Sequence, residues 1–309
     1  MNTPPTPPSA PYPLAIIGAG ALGLSFATRL ARTGRVAVIA RSAERAHALR
    51  QGIEVGGTLR HFDVFGADQA PRADWVIVLV KTGDTTEAAL TAAAMAPKGV
   101  LSLQNGLVED LLRAACPGLS VGQGVTTEGA YRDDSDRVHP AGAGETLLPA
   151  GFEAVAELLV GAGFTARVVA DIVPVRLAKL LVNAAINPLA ALFRVTNGEL
   201  LSAPHRVLLD ALIAEAWPVL HAHGLALDEA TANARVHAVA SATAANRASM
   251  LQDVLAGRPT EIDAITGVLF SMADAAGMDV PTHRAVHTLV RTVADARLSP
   301  ARRRAGLRP

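Results

Sequence analysis

The segment KLLVNAAINPLAALF, residues 179–193, sets one ammonium and two amides into an otherwise apolar run. Lys179, Asn183 and Asn187 recur every four residues, so on a helix they stack into a polar stripe. Such a stripe suits a solvent face, a polar contact between helices, or the wall of a cleft. A solvent face would be denser in charge, yet between 177 and 193 the only charged residue is Lys179. The cleft is therefore the favoured reading. A lysine drawn out of water needs a partner. Candidates are Glu261 in GRPTEID, where a helix is expected to start, and Asn246 and Ser249, three apart on one expected helical face in AANRASMLQD. Ammonium, amide, hydroxyl and carboxylate together suit a small, oxygen-rich acid.

A second set of residues lies near the chain start. Gly18, Ala19, Gly20, Ala21, Leu22 and Gly23 form G-A-G-A-L-G between an expected strand and an expected helix, the context in which this motif binds dinucleotides. Gly18 would allow the tight turn, Gly20 the approach of a pyrophosphate, and Gly23 the packing of helix on sheet. The helix N-terminus offers unpaired N–H groups to the phosphates. A glycine-rich turn kept for packing is the alternative. The second strand, RVAVIA, runs into Arg41, with Ser42 next and Arg45 one turn on. A carboxylate at this point would bind ribose hydroxyls and repel a 2′-phosphate, whereas a guanidinium bonds that phosphate bidentately. This predicts NADP(H), against the alternative of an exposed surface arginine. Lys81 and Asn105 close two further strands at the edge where open α/β sheets bind ligands.

The elements that must position these groups fall into two parts. Strand–helix alternation over 13–170, from PLAIIGAG through DWVIVLVK and GVLSLQNG, predicts a doubly wound, mainly parallel Rossmann-type sheet. IEVGGTLRHFDVFG suggests a hairpin at its Gly-Gly. Residues 119–149 read as strands and loops, with an antiparallel extension of the sheet as one arrangement. From 171 to 309 the pattern is helix after helix, at 172–187, 204–223, 228–254, 260–277 and 282–297, an all-α domain holding the substrate residues. Pro188 is expected to bend or end the first of these at Asn187. Residues 1–12, rich in proline, read as a disordered leader.

Composition narrows the function. Of 309 residues, 28 are Lys or Arg and 28 Asp or Glu, so nothing predicts a nucleic-acid or anionic-membrane partner. The RRR run at 302–304 reads as a solvated basic tail. The single cysteine, Cys116, has no intramolecular partner, which suits a reducing, cytoplasmic compartment. The start lacks a basic region followed by an apolar one, so a signal peptide is not expected. No uninterrupted apolar run reaches membrane-spanning length, and no metal is called for.

At this point IIGAGALG, QNG at 104–106, GVTTEGAY at 124–131, KLLVNAAINPLAAL at 179–192, TNGEL at 196–200, SMLQDV at 249–254 and TEID at 260–263 together resemble, in order, the landmarks of the ketopantoate reductase family. The resemblance covers nearly the whole chain except the leader and the last dozen residues. It implies a Rossmann domain followed by a helical domain, with the active site in the cleft between them. It also implies NADPH-dependent reduction of 2-dehydropantoate to (R)-pantoate, toward pantothenate and coenzyme A. By the same resemblance Lys179 is the catalytic lysine and Glu261 its supporting carboxylate. Asn183, Asn187, Asn246 and Ser249 hold substrate, and Asn105 lies near nicotinamide and substrate. Lys81 lies near the cofactor and Arg41 at the 2′-phosphate, while Asn197 sits in the matching NG pair. Asp84 stands where the family often has glutamine, which puts one cofactor contact in doubt.

The chemistry suits the residues. A keto group receiving hydride builds charge on its oxygen, and a protonated lysine can stabilise that charge and supply the proton. Two other readings stay open: a reductase of a different small 2-oxo acid, and a non-catalytic NADP-binding regulator. Helices 204–223 and 282–297 offer faces for a homodimer, but intramolecular packing explains them equally well.

Overall fold

The computed structural model describes residues 10–133 and 135–298, and the chain divides after Ile172 into two compact units. Most of the expected leader, and the basic run at 302–304, lie outside the described residues. Tyr12 departs from the leader reading. It opens the first strand, is 1% exposed, and donates its hydroxyl to Asp63 at 2.9 Å.

The first unit begins β1 (Tyr12–Ile17), α1 (Ala21–Leu30), β2 (Val36–Ala40), α2 (Ala43–Arg50), β3 (Ile53–Val55), β4 (Thr58–Arg60) and β5 (Asp63–Gly66). It continues through β6 (Ala73–Val78), α3 (Thr85–Ala94), β7 (Gly99–Ser102), α4 (Glu109–Ala115) and β8 (Ser120–Gln123). Then come β9 (Val125–Thr126), β10 (Ala130–Arg132), β11 (Val138–Pro140), β12 (Glu145–Pro149), α5 (Glu153–Gly161) and β13 (Thr165–Val169). Six strands pair in parallel in the order β5-β2-β1-β6-β7-β8, the doubly wound Rossmann order. Strand alternation divides its core. Leu14, Ile16, Val36 and Val38 pack with Leu24 and Phe26 of α1 on one face. Ala15, Ile17, Ala37 and Ile39 pack with Ala88, Ala89 and Leu112 of α3 and α4 on the other. Two apolar faces require continuously apolar strands, and VAVIA of β2 is buried throughout.

The Gly-Gly hairpin is present as β3–β4, with Gly56 and Gly57 at φ +58° and +76°, the left-handed pair of a tight hairpin turn. The 119–149 region differs from the antiparallel extension considered for it. β8 joins the main sheet in parallel, and the remaining strands form two small separate sheets, β10-β11-β3-β4 and β13-β12-β9. Strands of two to five residues with mixed polarity carry no signal of which neighbour they pair with.

The second unit holds α6 (Val173–Phe193), α7 (His205–Ala222), α8 (Glu229–Ala242), α9 (Ser249–Leu255), a π-helical turn Asp263–Gly267, α10 (Val268–Ala276) and α11 (Pro281–Leu298). α6 packs against α7, α8, α9 and α11. It is long and apolar enough to cross a membrane, but two-thirds of it is buried by its own protein, as befits a core helix. Two helices differ from the expectation. α6 runs through Pro188 to Phe193 instead of ending near Asn187. Proline removes one helical hydrogen bond, and the burial of every residue from Ala184 to Ala191 holds the helix together across that loss. The expected helix over 228–254 is two helices, broken between Ala242 and Ser249, where Thr243 N–H still bonds Val239 and Asn246 N–H turns back to Thr243.

Candidate functional site

In the first unit the glycine loop follows β1 directly. Gly18 has φ +123°, and a Cβ on it would lie 2.6 Å from the Leu79 carbonyl carbon. A Cβ on Gly23 would collide with the Gly18 carbonyl oxygen. Both glycines therefore let the loop and α1 close on the sheet. Around Gly20 nothing lies within 4 Å of a Cβ position, so the space before the α1 N-terminus is open. Ala19 is fixed through its carbonyl, which accepts from Arg132 at 2.6 Å. Ala21 and Leu22 begin α1 and are half-buried.

Arg41 follows β2, is exposed, and its side chain bonds no other described residue. Arg45 is engaged: it donates to Asp136 at 3.0 Å, and Arg132 pairs with the same carboxylate. Lys81 is exposed beyond β6, and its carbonyl accepts from the N–H of Asp84 at 2.9 Å. Asn105 is half-buried in the loop after β7.

Two glutamines shape these loops and were not singled out in the sequence. Gln104, 5% exposed, donates to the Val80 carbonyl at 3.0 Å and to Thr85 Oγ1 at 2.9 Å, and accepts from Ser102 Oγ at 3.1 Å. It ties the loop carrying Lys81 to the one carrying Asn105. Gln123 donates to the Gly106 carbonyl at 2.7 Å and accepts from the Val108 N–H at 2.9 Å. QNG contains Gln104, but only a buried side chain with partners from two loops reveals its part.

In the second unit Lys179 sits half-buried on α6. Burial pushes its pKa down to about 8, and the carboxylate of Glu261 pulls the other way. Glu261 is 7% exposed. It stands at the turn before the π-helical segment, its carbonyl accepting from Ala264 and Ile265 N–H at 3.1 Å each. The loop leading to it is clamped: Asp253, 2% exposed, accepts from Arg258 Nε at 3.0 Å, and the Arg258 N–H bonds the Asp253 carbonyl at 2.8 Å. Lysine and carboxylate, 82 residues apart in sequence (261 − 179), thus interact in the folded unit.

The amides fall into two kinds. Asn183 is half-buried and Asn187 buried on α6, on the side bearing Lys179. Asn197, 8% exposed, is a brace: its N–H bonds the Asn246 carbonyl at 3.0 Å and its Nδ2 donates to Thr243 Oγ1 at 2.9 Å. Gly198 allows this approach, since a Cβ there would meet Ala244 Cβ at 2.6 Å. Asn246 and Ser249 do not share a helical face as expected. Asn246 is exposed in the turn after α8, and Ser249 is the exposed first residue of α9. No group of three or more histidine, cysteine or carboxylate side chains suited to a metal occurs among the described residues.

Known proteins resemble both units. Residues 14–151 match the family model described as ketopantoate reductase PanE/ApbA, and residues 171–294 match its C-terminal counterpart. A 2-dehydropantoate 2-reductase of Archaeoglobus fulgidus is 36% identical over 288 residues, 90% of this chain and 96% of that one. Its Bacillus subtilis counterpart is 33% identical over 280 residues, 86% and 92% of the two chains. Among solved structures, a PanE/ApbA family ketopantoate reductase from Ralstonia eutropha superposes with a TM-score of 0.82 at 28% identity, covering 93% of this chain and 99% of that one. With two domain models matched in order and relatives above 30% identity along most of its length, the chain belongs to the ketopantoate reductase family of oxidoreductases.

Proposed function

We propose that this protein reduces 2-dehydropantoate to (R)-pantoate with NADPH, in the cytoplasm, as a step toward pantothenate and coenzyme A. The observation that carries the reading is the Lys179–Glu261 pair: a lysine whose pKa lies at about 8 beside a buried carboxylate, in a chain that aligns along 90% of its length with a named 2-dehydropantoate 2-reductase.

The residues fit the dinucleotide. Open space at Gly20 and the N–H groups of the first turn of α1 suit a pyrophosphate. Arg41, exposed with an uncommitted guanidinium, suits a 2′-phosphate, and Lys81 and Asn105 would border the nicotinamide. When bound, NADPH supplies the hydride for the keto carbon. Lys179 donates a hydrogen bond to the keto oxygen, stabilises the charge that grows there, and passes its proton to it, so that ketone becomes alcohol. The neutral amine then regains a proton from solvent. With a pKa of about 8, roughly nine in ten lysines are charged at pH 7. That value lies closer to the working pH than an ordinary lysine's, which favours transfer of the proton. Glu261 orients the ammonium and offsets its burial. Ser249 and Asn246 hold the substrate carboxylate, and Asn183 and Asn187 its terminal hydroxyl.

The test is the initial rate of NADPH consumption with 2-dehydropantoate, run beside NADH and a panel of other 2-oxo acids. The expected result is saturable turnover with this substrate and a preference for NADPH that Arg41→Ala lowers roughly 10- to 100-fold, the worth of one charged hydrogen bond. Saturable turnover of another 2-oxo acid with none of 2-dehydropantoate would replace the substrate. Dinucleotide binding without turnover of any would favour a regulator.

A further inference from the structure

The first unit carries a cavity of about 520 Å³ along the side of α1, away from the residues assigned above. Ser25, Thr28, Arg29 and Arg32 line it from the helix, Arg60 from the β3–β4 hairpin, and Glu128 from the loop before β10. The α1 spacing, i, i+3, i+4 and i+7, puts those four side chains on one face.

Three guanidiniums meet a single carboxylate in this lining. That carboxylate is committed: Glu128 accepts from Arg29 at 2.8 Å. Arg29 is committed too, since it also donates to the Gly163 carbonyl and lies 3.4 Å over the Phe164 ring. Arg32 and Arg60 are different. Their side chains bond no other described residue, and Arg60 Nε is shielded from water with no partner. Ser25 is only 8% exposed, and its hydroxyl bonds no other described residue. The Thr28 hydroxyl already donates to the Leu24 carbonyl at 2.8 Å.

A buried donor without an acceptor is costly, and native structures seldom leave one so. Two uncommitted guanidiniums and a hydroxyl, with their one neighbouring carboxylate neutralised, form a donor-rich site of net positive charge. A phosphate ester brings close to two negative charges and three acceptor oxygens, and guanidinium forks bind such oxygens bidentately. The volume exceeds that of a bare phosphate ion and falls in the range of small-molecule sites. We propose that this cavity binds a small phosphorylated metabolite through Arg32, Arg60 and Ser25, separately from the dinucleotide.

Titration calorimetry of the full chain with fructose 1,6-bisphosphate tests this, with and without saturating NADPH and with citrate as a carboxylate comparison. The expected result is one site per chain, unaffected by NADPH. Arg32→Gln and Arg60→Gln should each weaken it at least 10-fold, with the melting temperature unchanged. Reductase activity is not the readout, so failure here is distinct from failure of the proposed reaction. No binding at millimolar concentration would overturn the assignment, as would displacement by NADPH or retention of affinity in both variants. Tighter binding of citrate than of the phosphate ester would overturn the phosphate specificity.

Discussion

Lys179 carries the chemical argument, and its environment makes a specific demand on pH. In the proposed reaction the proton-donating form is the ammonium, so reduction would need Lys179 charged. Burial sets its pKa at about 8. We expect kcat/KM for reduction to be level below that pH and to fall about tenfold per unit above it. A profile level to pH 10 would remove the lysine from the proton transfer. The candidacy of this lysine was legible in the sequence, because a lone charge in an apolar helical run stands out. Its lowered pKa was not, since that comes from neighbours folded around it. The brace made by Asn197 was not legible either. Its partners, Thr243 and Asn246, are reached only because the chain breaks between α8 and α9.

At the scale of elements, loops after parallel strands carry the candidate cofactor residues, and buried amides hold those loops. Gln104 joins the Lys81 loop to the Asn105 loop through Val80 and Thr85. Gln104→Leu keeps the volume but leaves those groups without a partner, at a cost of about 1–3 kcal/mol. We expect a lower melting temperature and a raised KM for the dinucleotide. A lower melting temperature with unchanged KM would leave Gln104 a structural role only. The parallel strands and the hairpin at Gly56–Gly57 were legible, because alternation and turn glycines are local signals. The passage of α6 through Pro188 was not, because burial on all sides overrode a local rule. Nor was the pairing of the short strands after β8, whose partners are distant in sequence.

At the scale of the molecule, burying the lysine–carboxylate pair costs stability. For Lys179 the folded pKa, about 8, lies below the ordinary 10.5, so folding disfavours its charged form. The cost, on the order of 3 kcal/mol with the attraction of Glu261 already included, is fully present below pH 8. It is relieved as pH rises from about 8 to 10.5, where the folded chain gives up a proton the unfolded chain keeps. Replacing both partners removes the buried charges together, which is often neutral or stabilising. Lys179→Met/Glu261→Gln should therefore melt at or above the temperature of the unaltered protein at pH 7. A clear drop would mean the pair holds the fold and does not merely tolerate burial. The division into a Rossmann unit and a helical unit was legible from the change in periodicity, because each unit builds its own core.

In the proposed reaction Lys179 supplies the proton and the charge stabilisation for ketone reduction. Its most direct test is a single-turnover measurement of NADPH oxidation by Lys179→Met with 2-dehydropantoate, beside NADPH binding by fluorescence. Hydride transfer is expected to slow at least about 10²-fold, the usual worth of a general acid, with NADPH affinity unchanged. Hydride transfer at close to the rate of the unaltered enzyme would remove Lys179 from that role.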